Sequence, residues 1–491
     1  MNIVDPILFQ CRANPEQPAI CAPGSRLEPV TYAQLQHMLN SLTRTVLQFG
    51  LKPGDIVGVF VNDKIFHIVL TLALARIGVA TVSSRGRSLP KEFDAIAAFV
   101  DTPGPFVNAN RTIVTDTSWA TSDGSPVLTD FVANGDELCR IILTSGSTGM
   151  AKGVAFSHRK LLEKNARLDY TRLDRWSRSS RMFCDLGLSS SLGFYYVLYM
   201  LGRGGMVMLL GEDIIGTLQS LNLFQMQNMA TSPYGLAEYL KFHEAQPTFH
   251  CNFDHILVAG SALTKQLAAR AWARMSPNLI TTYGAAETGA VASGDARVTT
   301  EIPGAVGFVL PDAQAEIVNE ADRPVQRGSE GVVRVRTEQA ADSYFRDPAT
   351  SALHFRDGWF YPGDVGYLRS DGLLVVTGRR ESLLNVGGDK VNPEIVEEVL
   401  SSHPAIADCA VLNIANELGI EEIHALIVAR AVFDETELRR HCSQSLQQIF
   451  IPVRFVAVER IPRNDLAKIE RSRLMELMKG VGGCRNRHGS T

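Results

Sequence analysis

The chain has 491 residues, and its 48 basic and 52 acidic side chains leave a formal net charge of only -4. Hydrophobic residues make up 45% of the sequence and charged residues 20%, which is ordinary for a globular protein with a large core. This balance provides no strongly basic surface, so we expect neither nucleic acid nor a membrane surface as a partner. The length predicts more than one folding unit.

Eight cysteines are scattered without a C-x-x-C pair or zinc-finger spacing, which predicts reduced thiols in a cytoplasmic protein. The segment MNIVDPILFQ lacks the basic and apolar parts of a secretory signal. The most apolar stretch, residues 192–210, is interrupted by Gly202, Gly204 and Gly205. Its pieces are too short to span a bilayer, and we expect a buried helix followed by a buried strand.

From Val57 to about Leu310, short apolar runs alternate with longer amphipathic ones. This pattern predicts βαβ layers around a mainly parallel sheet. The predicted strands are IVGVFV, LCRIIL, GMVMLL, HILVAG and NLITTY, and the predicted helices include KIFHIVLTLALARIG and SPYGLAEYLKFH.

After Pro303, short alternating segments separated by Gly, Asp and Pro predict a small antiparallel unit. From about Glu381, helix and strand patterns alternate in a compact α+β segment. The predicted fold class is therefore α/β: a large N-terminal domain, residues 1–380, has layered βαβ subdomains and a small β-barrel-like unit. A small, mobile α+β C-terminal domain, residues 381–491, follows it.

The loop LTSGSTGMAKGV, residues 143–154, follows a predicted strand and is expected to lead into a helix. Such a loop can direct backbone N–H groups and hydroxyls at a polyphosphate. It differs from the P-loop motif, since Ala151 precedes Lys152 and Gly153 follows it. A Walker-type ATPase is therefore disfavoured, and the loop alone indicates either phosphate binding or a plain connection.

Four further motifs accompany this loop: TTYGAAETG, DGWFYPGDVGYL, GRRESLLNVGGDKVNPEIVEEV and IPRNDLAKIER. In this order and spacing they resemble the motif series of the acyl-adenylate-forming enzymes, which include acyl- and aryl-CoA ligases, peptide-synthetase adenylation domains and luciferases. The resemblance extends from VTYAQL at 30–35 to Lys468, and the chain is most similar to a stand-alone AMP-forming acyl-CoA synthetase.

The resemblance implies a two-step reaction. A carboxylate attacks the α-phosphate of ATP to give an acyl-adenylate and pyrophosphate, and a thiol then displaces AMP to give a thioester. The implied cofactors are ATP, Mg²⁺ and coenzyme A, and the implied substrate is a small carboxylic acid.

The resemblance also implies roles for individual residues. Lys468, Glu287 and Thr148 are the implied catalytic residues, and Glu287 and Thr148 are the implied magnesium ligands. A cation suits the charge that develops as a carboxylate attacks phosphorus, and carboxylate oxygen suits Mg²⁺. The implied ATP- or AMP-binding residues are Thr144, Ser145, Gly146, Ser147, Thr148, Gly149, Lys152, Gly260, Ser261, Ala262, Thr282, Tyr283, Gly284, Ala285, Ala286, Asp364, Arg379 and Lys468.

Within this set, Tyr283 is implied to stack on adenine, and Asp364 and Arg379 are implied to bind the ribose hydroxyls. A carboxylate can accept hydrogen bonds from both hydroxyls of a vicinal diol. Taken singly, each residue has an ordinary alternative: a core aromatic, a turn aspartate and a surface charge.

The hinge between the domains is implied at Glu381, and Gly387, Gly388 and Lys390 are implied to line the passage of the thiol arm. Candidate walls of the acyl pocket are Ser190, Phe194, Tyr195, Tyr234, Ala259 and Gly284. These segments contain no obvious basic side chain, which favours a monocarboxylate with an apolar or aromatic body.

Four positions differ from the residues usual in the family: Ala151, Ala286, Ala467 and Ser190. Alternatives therefore stay open: transfer to a carrier-protein phosphopantetheine in place of free coenzyme A, a regulatory ATP-binding module without turnover, or a monooxygenase of the luciferase type. Retention of Lys152, Glu287, Asp364, Arg379 and Lys468 favours an enzyme. The oligomeric state is open between monomer and homodimer.

Overall fold

The computed structural model describes residues 1–24, 29–83, 87–127, 135–145, 151–172, 180–211, 214–245, 252–379, 384–386, 389–391, 393–416, 421–430, 432–463 and 468–482. The helices of these residues are α1 (Asp5–Ala13), α2 (Tyr32–Leu47), α3 (Lys64–Arg76), α4 (His158–Arg172), α5 (Ser191–Arg203), α6 (Ile214–Leu223), α7 (Pro233–Ala245), α8 (Lys265–Arg274), α9 (Ala296–Thr299), α10 (Pro348–His354), α11 (Pro393–Ser401), α12 (Glu435–Ser443) and α13 (Arg471–Gly482).

The strands of the same residues are β1 (Pro18–Cys21), β2 (Val30–Thr31), β3 (Ile56–Phe60), β4 (Ala80–Ser83), β5 (Ala97–Val100), β6 (Thr112–Val114), β7 (Leu138–Ser145), β8 (Ala151–Ser157), β9 (Arg181–Cys184), β10 (Met206–Leu209), β11 (Asn228–Thr231), β12 (His255–Ala259), β13 (Leu279–Ala285), β14 (Gly289–Asp295), β15 (Ala305–Val309), β16 (Ala313–Val318), β17 (Gly331–Thr337), β18 (Phe355–Arg356), β19 (Trp359–Phe360), β20 (Asp364–Leu368), β21 (Leu373–Arg379), β22 (Leu384–Val386), β23 (Asp389–Val391), β24 (Ile406–Ala415), β25 (Glu421–Ala429) and β26 (Arg454–Ala457).

The largest sheet joins the predicted parallel and antiparallel regions without a break. Strands β1, β10, β9, β11, β12 and β13 are parallel neighbours, and β13 then pairs antiparallel with β14. From β14 the sheet continues through the antiparallel strands β15, β21, β20 and β17. The strands predicted from HILVAG and NLITTY are thus β12 and β13, at the centre of this sheet.

A second sheet has the order β6-β5-β3-β4-β7-β8. Its last two strands form an antiparallel hairpin in which Thr144 pairs with Lys152. The prediction that the loop at 143–154 leads into a helix is therefore wrong, because the loop leads into β8. Val154 and Phe156 are fully buried at alternate positions of β8, a period that suits a strand, and α4 begins only at His158.

The predicted buried helix and strand at 192–210 are confirmed as α5 and β10. Helix α5 begins at an N-cap, where the Ser190 hydroxyl accepts a hydrogen bond from the Gly193 N–H at 3.1 Å. It ends at Gly204, whose φ of 82° is a conformation that glycine adopts without strain. Among the described helices, none is both long and apolar enough to cross a bilayer.

The C-terminal region has its own sheet, β24-β25-β26, which is packed by α11, α12 and α13. Its two apolar clusters contain only residues from Val396 onwards. The pattern at 435–449 predicts one long helix, but α12 ends at Ser443, because the following Leu446 and Phe450 turn back onto the core of this region. The predicted domain boundary at 381 falls outside the described residues.

Candidate active site

The site is built at the carboxyl edge of the large sheet, where β12 and β13 end side by side. Gly260, Ser261 and Ala262 follow β12, while Thr282 to Ala285 form the end of β13. In sheets of this kind the carboxyl ends of parallel strands form the ligand crevice. Two of the predicted motif segments therefore reach the same edge.

Asp364 links two elements of this edge. Its carboxylate is 5% exposed and accepts a hydrogen bond from the Tyr283 hydroxyl at 2.5 Å. The Arg379 Nε lies 3.3 Å from its other oxygen. Burial and the Asp364 carboxylate raise the pKa of Tyr283 well above its usual range, so the phenol stays a donor. The structure thus brings together the three residues predicted at the adenosine.

Glu287 lies in the turn between β13 and β14 and is 5% exposed. The Tyr344 hydroxyl donates to its Oε1 at 2.9 Å, and its backbone carbonyl accepts from the Ala341 N–H at 2.7 Å. Burial and the Glu287 charge raise the pKa of Tyr344, which keeps the phenol protonated. A single buried carboxylate fits Mg²⁺ that is also held by substrate phosphates. No sequence pattern indicated Tyr344.

Lys152 begins the second strand of the loop hairpin, and its Nζ lies 3.1 Å from His354 Nε2 and 5.1 Å from the Tyr344 ring centroid. His354 Nδ1 lies 2.9 Å from the Tyr361 carbonyl oxygen, which can only accept. Nδ1 is therefore the protonated nitrogen, and Nε2 accepts a hydrogen bond from the lysine. The sequence analysis missed His354, since it lies 202 residues from Lys152.

Lys468 is brought from the C-terminal region to this edge. Burial lowers its pKa, and the Arg379 charge lowers it further, while the carboxylates of Asp364, Glu394 and Glu287 oppose that shift. The lysine predicted to be catalytic therefore lies within electrostatic range of the two carboxylates predicted at the ATP site. The sequence places it more than one hundred residues after Asp364.

The predicted pocket residues have different surroundings. Phe194 and Tyr195 are buried on α5, and the Ser190 hydroxyl is used to cap that helix. Ala259 is buried at the end of β12, and at Gly284 an added Cβ would lie 2.0 Å from the Gly289 carbonyl oxygen. Tyr234 is 43% exposed, with the Arg463 guanidinium 5.0 Å from its ring centroid.

Several predicted site residues lie outside the described residues: Gly146, Ser147, Thr148, Gly149, Glu381, Gly387 and Gly388. The backbone of Lys390 lies in β23, which pairs antiparallel with β22. Thr144 and Ser145 end β7, directly before the loop. Their roles stay predictions.

Comparison with known proteins shows the family of this chain. The family model of AMP-binding enzymes matches residues 9–345, and that of the AMP-binding enzyme C-terminal domain matches residues 395–468. The chain therefore belongs to the AMP-binding enzyme family, and the predicted family is confirmed. The chain is thus an enzyme, and the reaction predicted from its motifs is one that enzymes of this family catalyse.

One relative is the 2-succinylbenzoate–CoA ligase of Bacillus licheniformis, which is 27% identical over 466 residues, or 91% of this chain and 94% of the relative. The solved o-succinylbenzoate CoA synthetase of Bacillus subtilis, in complex with its acyl-adenylate intermediate, has a TM-score of 0.82 at 21% identity and covers 96% of this chain and 97% of its own. An anthranilate CoA ligase in complex with anthranoyl-AMP has a TM-score of 0.84 at 20% identity, over 98% of both chains. These structures confirm the predicted α/β fold, and the predicted acid–CoA ligase class agrees with the relatives.

Proposed function

We propose that this chain is an AMP-forming ligase that joins a carboxylic acid to coenzyme A with the use of ATP and Mg²⁺. The observation that carries the proposal is the convergence of Lys468 and Glu287 with the trio of Tyr283, Asp364 and Arg379 in a member of the AMP-binding family. The CoA-ligase activity of the relative from Bacillus licheniformis supports free coenzyme A as the acceptor.

In this proposal the buried carboxylate of Asp364 accepts hydrogen bonds from the ribose hydroxyls, and its ion pair with Arg379 orients that carboxylate. The Tyr283 hydroxyl donates a hydrogen bond of 2.5 Å to the other oxygen of the Asp364 carboxylate. The ring of Tyr283 is proposed to stack on adenine. Gly260, Ser261 and Ala262 border the same crevice. Nucleotide binding therefore depends on groups from β13, β20 and β21, whose relative positions are set by one continuous sheet.

In the first step, the substrate carboxylate oxygen forms a bond to the α-phosphorus as the bond to pyrophosphate breaks. Lys468 neutralises charge that collects on the reacting carboxylate and phosphate oxygens. Lys152 faces the β and γ phosphates, where Thr144, Ser145 and the loop residues 146–149 supply further donors. Glu287, with Thr148 as the proposed second protein ligand, would hold Mg²⁺ together with the phosphates, and the bound ion would supply additional charge neutralisation.

In the second step, the thiol sulfur of coenzyme A attacks the acyl carbon, and AMP leaves. Access of the thiol requires the C-terminal region to move Lys468 away, with Glu381 as the hinge. The domain boundary at 381 and the thiol passage at Gly387, Gly388 and Lys390 belong to this proposal. The electrostatic influence of Asp364 and Glu287 on Lys468 supports assigning the described arrangement to the first step.

The proposed acid has an aromatic or apolar body. Phe194 and Tyr195 are both buried on α5, and the influence of the Glu287 charge on Tyr195 supports an aromatic wall at this side of the site. The relatives named above act on 2-succinylbenzoate and anthranilate, which are aromatic acids. Ser190, Ala259, Gly284 and Tyr234 are the remaining proposed wall residues, and Tyr234 is the most exposed of them.

The enzyme is proposed to act in the cytoplasm, as a monomer or homodimer. Six cysteines of the described chain are free and buried, a state that a reducing compartment maintains. An acyl carrier protein is the alternative thiol acceptor, and the following experiment distinguishes it from coenzyme A.

Exchange of labelled pyrophosphate into ATP tests the proposal, with a panel of carboxylic acids and with or without coenzyme A. We expect acid-dependent exchange without coenzyme A, and AMP with an acyl-CoA thioester when coenzyme A is added. Absence of exchange with every acid would contradict an enzyme of this reaction class. Exchange without a CoA thioester would indicate a carrier protein as the acceptor.

A further inference from the structure

A lysine that no motif includes lies buried beside the site. Lys164 is on α4 and is 5% exposed. Its Nζ is 5.1 Å from the ring centroid of Phe156 and 5.5 Å from that of Tyr195. Within the described part of the chain, this Nζ has no hydrogen-bond partner. Burial of an ammonium without a partner is unfavourable, and a bound anion would offset that cost.

The position of Lys164 relates it to the reaction centre. Its Nζ lies 3.3 Å from where a Cβ on Gly289 would be, directly after the turn that carries Glu287. The Glu287 charge acts on Lys164, yet Glu287 Oε1 is held by Tyr344. Among described residues, no ion pair joins the lysine to that carboxylate. Lys164 is therefore close to the active-site carboxylate without being neutralised by it.

A second unsatisfied group is next to the lysine. The Tyr195 hydroxyl is also buried and lacks a hydrogen-bond partner among the described residues. The rings of Tyr195 and Phe156 are in edge contact at 5.8 Å. An ammonium and a phenol donor, enclosed by aromatic rings, form a suitable environment for an anionic group at the end of an apolar body.

The surrounding charges favour an anion over a cation. Arg167 and Lys160 on the same helix add positive potential at Lys164, and Arg140 does so at Tyr195; the Glu287 charge acts on both groups in the opposite sense but is the smaller influence at each. Burial, with those two neighbouring cations, lowers the pKa of Lys164 to about 7. A bound carboxylate would stabilise the protonated form of the lysine.

We propose that Lys164, together with the Tyr195 hydroxyl, binds a second carboxylate on the acid that this enzyme activates. The inference rests on the proposed function, since it concerns the same substrate. This inference replaces the expectation of a monocarboxylate with that of an acid that has two carboxylates. In this inference the basic group comes from α4 and not from the predicted pocket segments.

The test compares acids in pairs that differ only in the second carboxylate. The diacids are phenyl-substituted alkanedioic acids and unsubstituted aliphatic diacids of four to six carbons. Each diacid and its monomethyl ester are compared as substrates by pyrophosphate exchange. We expect the wild-type chain to prefer the diacid by at least about tenfold in kcat/KM. Lys164→Met should reduce kcat/KM for diacids by at least about tenfold and leave that for monoesters unchanged or higher.

Two further variants make the comparison specific. Lys164→Arg retains the charge and should preserve part of the diacid preference. Arg159→Met is the matched control, since it removes a cation from the same helix whose partner is the exposed Asp136, at 2.8 Å. It should leave the diacid preference unchanged. Thermal unfolding is expected to show Lys164→Met at least as stable as the wild type, because an unpartnered buried charge is removed.

The outcomes separate the inference from the proposed function. No exchange with any acid in the wild type would contradict the proposed function. Exchange that is equal for diacids and monoesters, or equal losses for both in Lys164→Met, would overturn the role of Lys164 and leave the ligase proposal intact.

Discussion

Asp364 on β20 and Arg379 on β21 are direct cross-strand partners, and their side chains form an ion pair of 3.3 Å at the edge of the candidate site. The register of the two strands places the carboxylate and the guanidinium together, although the residues are not close in the sequence. The Tyr283 hydroxyl completes the group from β13. This relationship gives the first prediction.

Asp364→Ala should raise the KM for ATP about tenfold or more, since hydrogen bonds that involve a charged group contribute about 1.5–3 kcal/mol. The KM for the acid should change much less. Pyrophosphate exchange at varied ATP measures both. Asp371→Ala is the control, because Asp371 forms an exposed pair with Arg369 in the turn of the same hairpin. Equal effects of the two variants on the KM for ATP would refute a ribose contact.

Tyr344→Phe should weaken the orientation of Glu287. We expect a severalfold higher half-saturating Mg²⁺ concentration and about a tenfold lower exchange rate, since a lost hydrogen bond to a carboxylate corresponds to about 1.5 kcal/mol. Titration with Mg²⁺ at saturating ATP provides the measurement. Tyr361→Phe is the matched control, because the Tyr361 hydroxyl contacts Arg334 and not Glu287. An unchanged Mg²⁺ dependence in Tyr344→Phe would argue against Tyr344 as a positioning residue.

Lys468→Ala should abolish most adenylation, with a loss of about 100-fold or more, because the ammonium proposed to neutralise the reacting carboxylate and phosphate oxygens is removed. Thioester formation from supplied acyl-adenylate and coenzyme A should be largely preserved, since that step uses the moved C-terminal region. Assays of the two half-reactions give the answer directly. Comparable losses in both would contradict this separation of roles.

Tyr234→Ala tests the contact between the large and small regions. The Arg463 guanidinium lies 5.0 Å from the Tyr234 ring centroid, an arrangement that favours the adenylation position of the C-terminal region by about 0.5–1 kcal/mol. We expect adenylation to slow about twofold to fivefold and thioester formation to be unchanged. If Tyr234 is instead a wall of the acyl pocket, Tyr234→Ala should change the preference among acids. A comparison of three acids would detect that change.

Asp185→Asn should change the pH dependence of stability. Burial raises the pKa of Asp185 from 3.8 to about 7, while the Thr231 hydroxyl, which donates at 2.8 Å, opposes the shift. A folded-state pKa above the unfolded one means that the native state binds the extra proton. The stabilisation is then complete below about pH 4 and is lost as pH rises to about 7.

The Asn variant should therefore gain stability relative to the wild type at pH 8, by up to about 4 kcal/mol, and lose most of that advantage at pH 4. Denaturant unfolding at both pH values measures the difference. Asp136→Asn is the control, because the Asp136 side chain is exposed and its carboxyl is not desolvated by burial. An advantage for Asp185→Asn that is independent of pH would contradict an Asp185 carboxyl with a raised pKa.

Much of the fold could be predicted from sequence because its strands and helices have clear local patterns. Strand β12 contains a continuous apolar run, β13 begins with two apolar residues followed by two β-branched threonines, and α3 and α5 are long apolar segments with clear ends. The β8 strand was misassigned because its alternation is short and directly adjoins a helix. Helix α12 was predicted too long because tertiary contacts of Leu446 and Phe450 end it.

The sequence by itself determined the family, the reaction class and the residues whose order along the chain forms the motifs: Lys152, Tyr283, Glu287, Asp364, Arg379 and Lys468. Those motifs are local, so their residue types and spacing are visible without a structure. The tertiary structure decided which groups orient them, namely Tyr344 for Glu287 and His354 for Lys152.

Only the fold also placed Lys164 beside Tyr195 and Glu287. Lys164 belongs to a helix with many polar residues, where a lysine ordinarily faces water. Its burial results from the packing of α4 against α5 and β8, and that packing depends on contacts between residues distant in the chain. No local pattern contains this information.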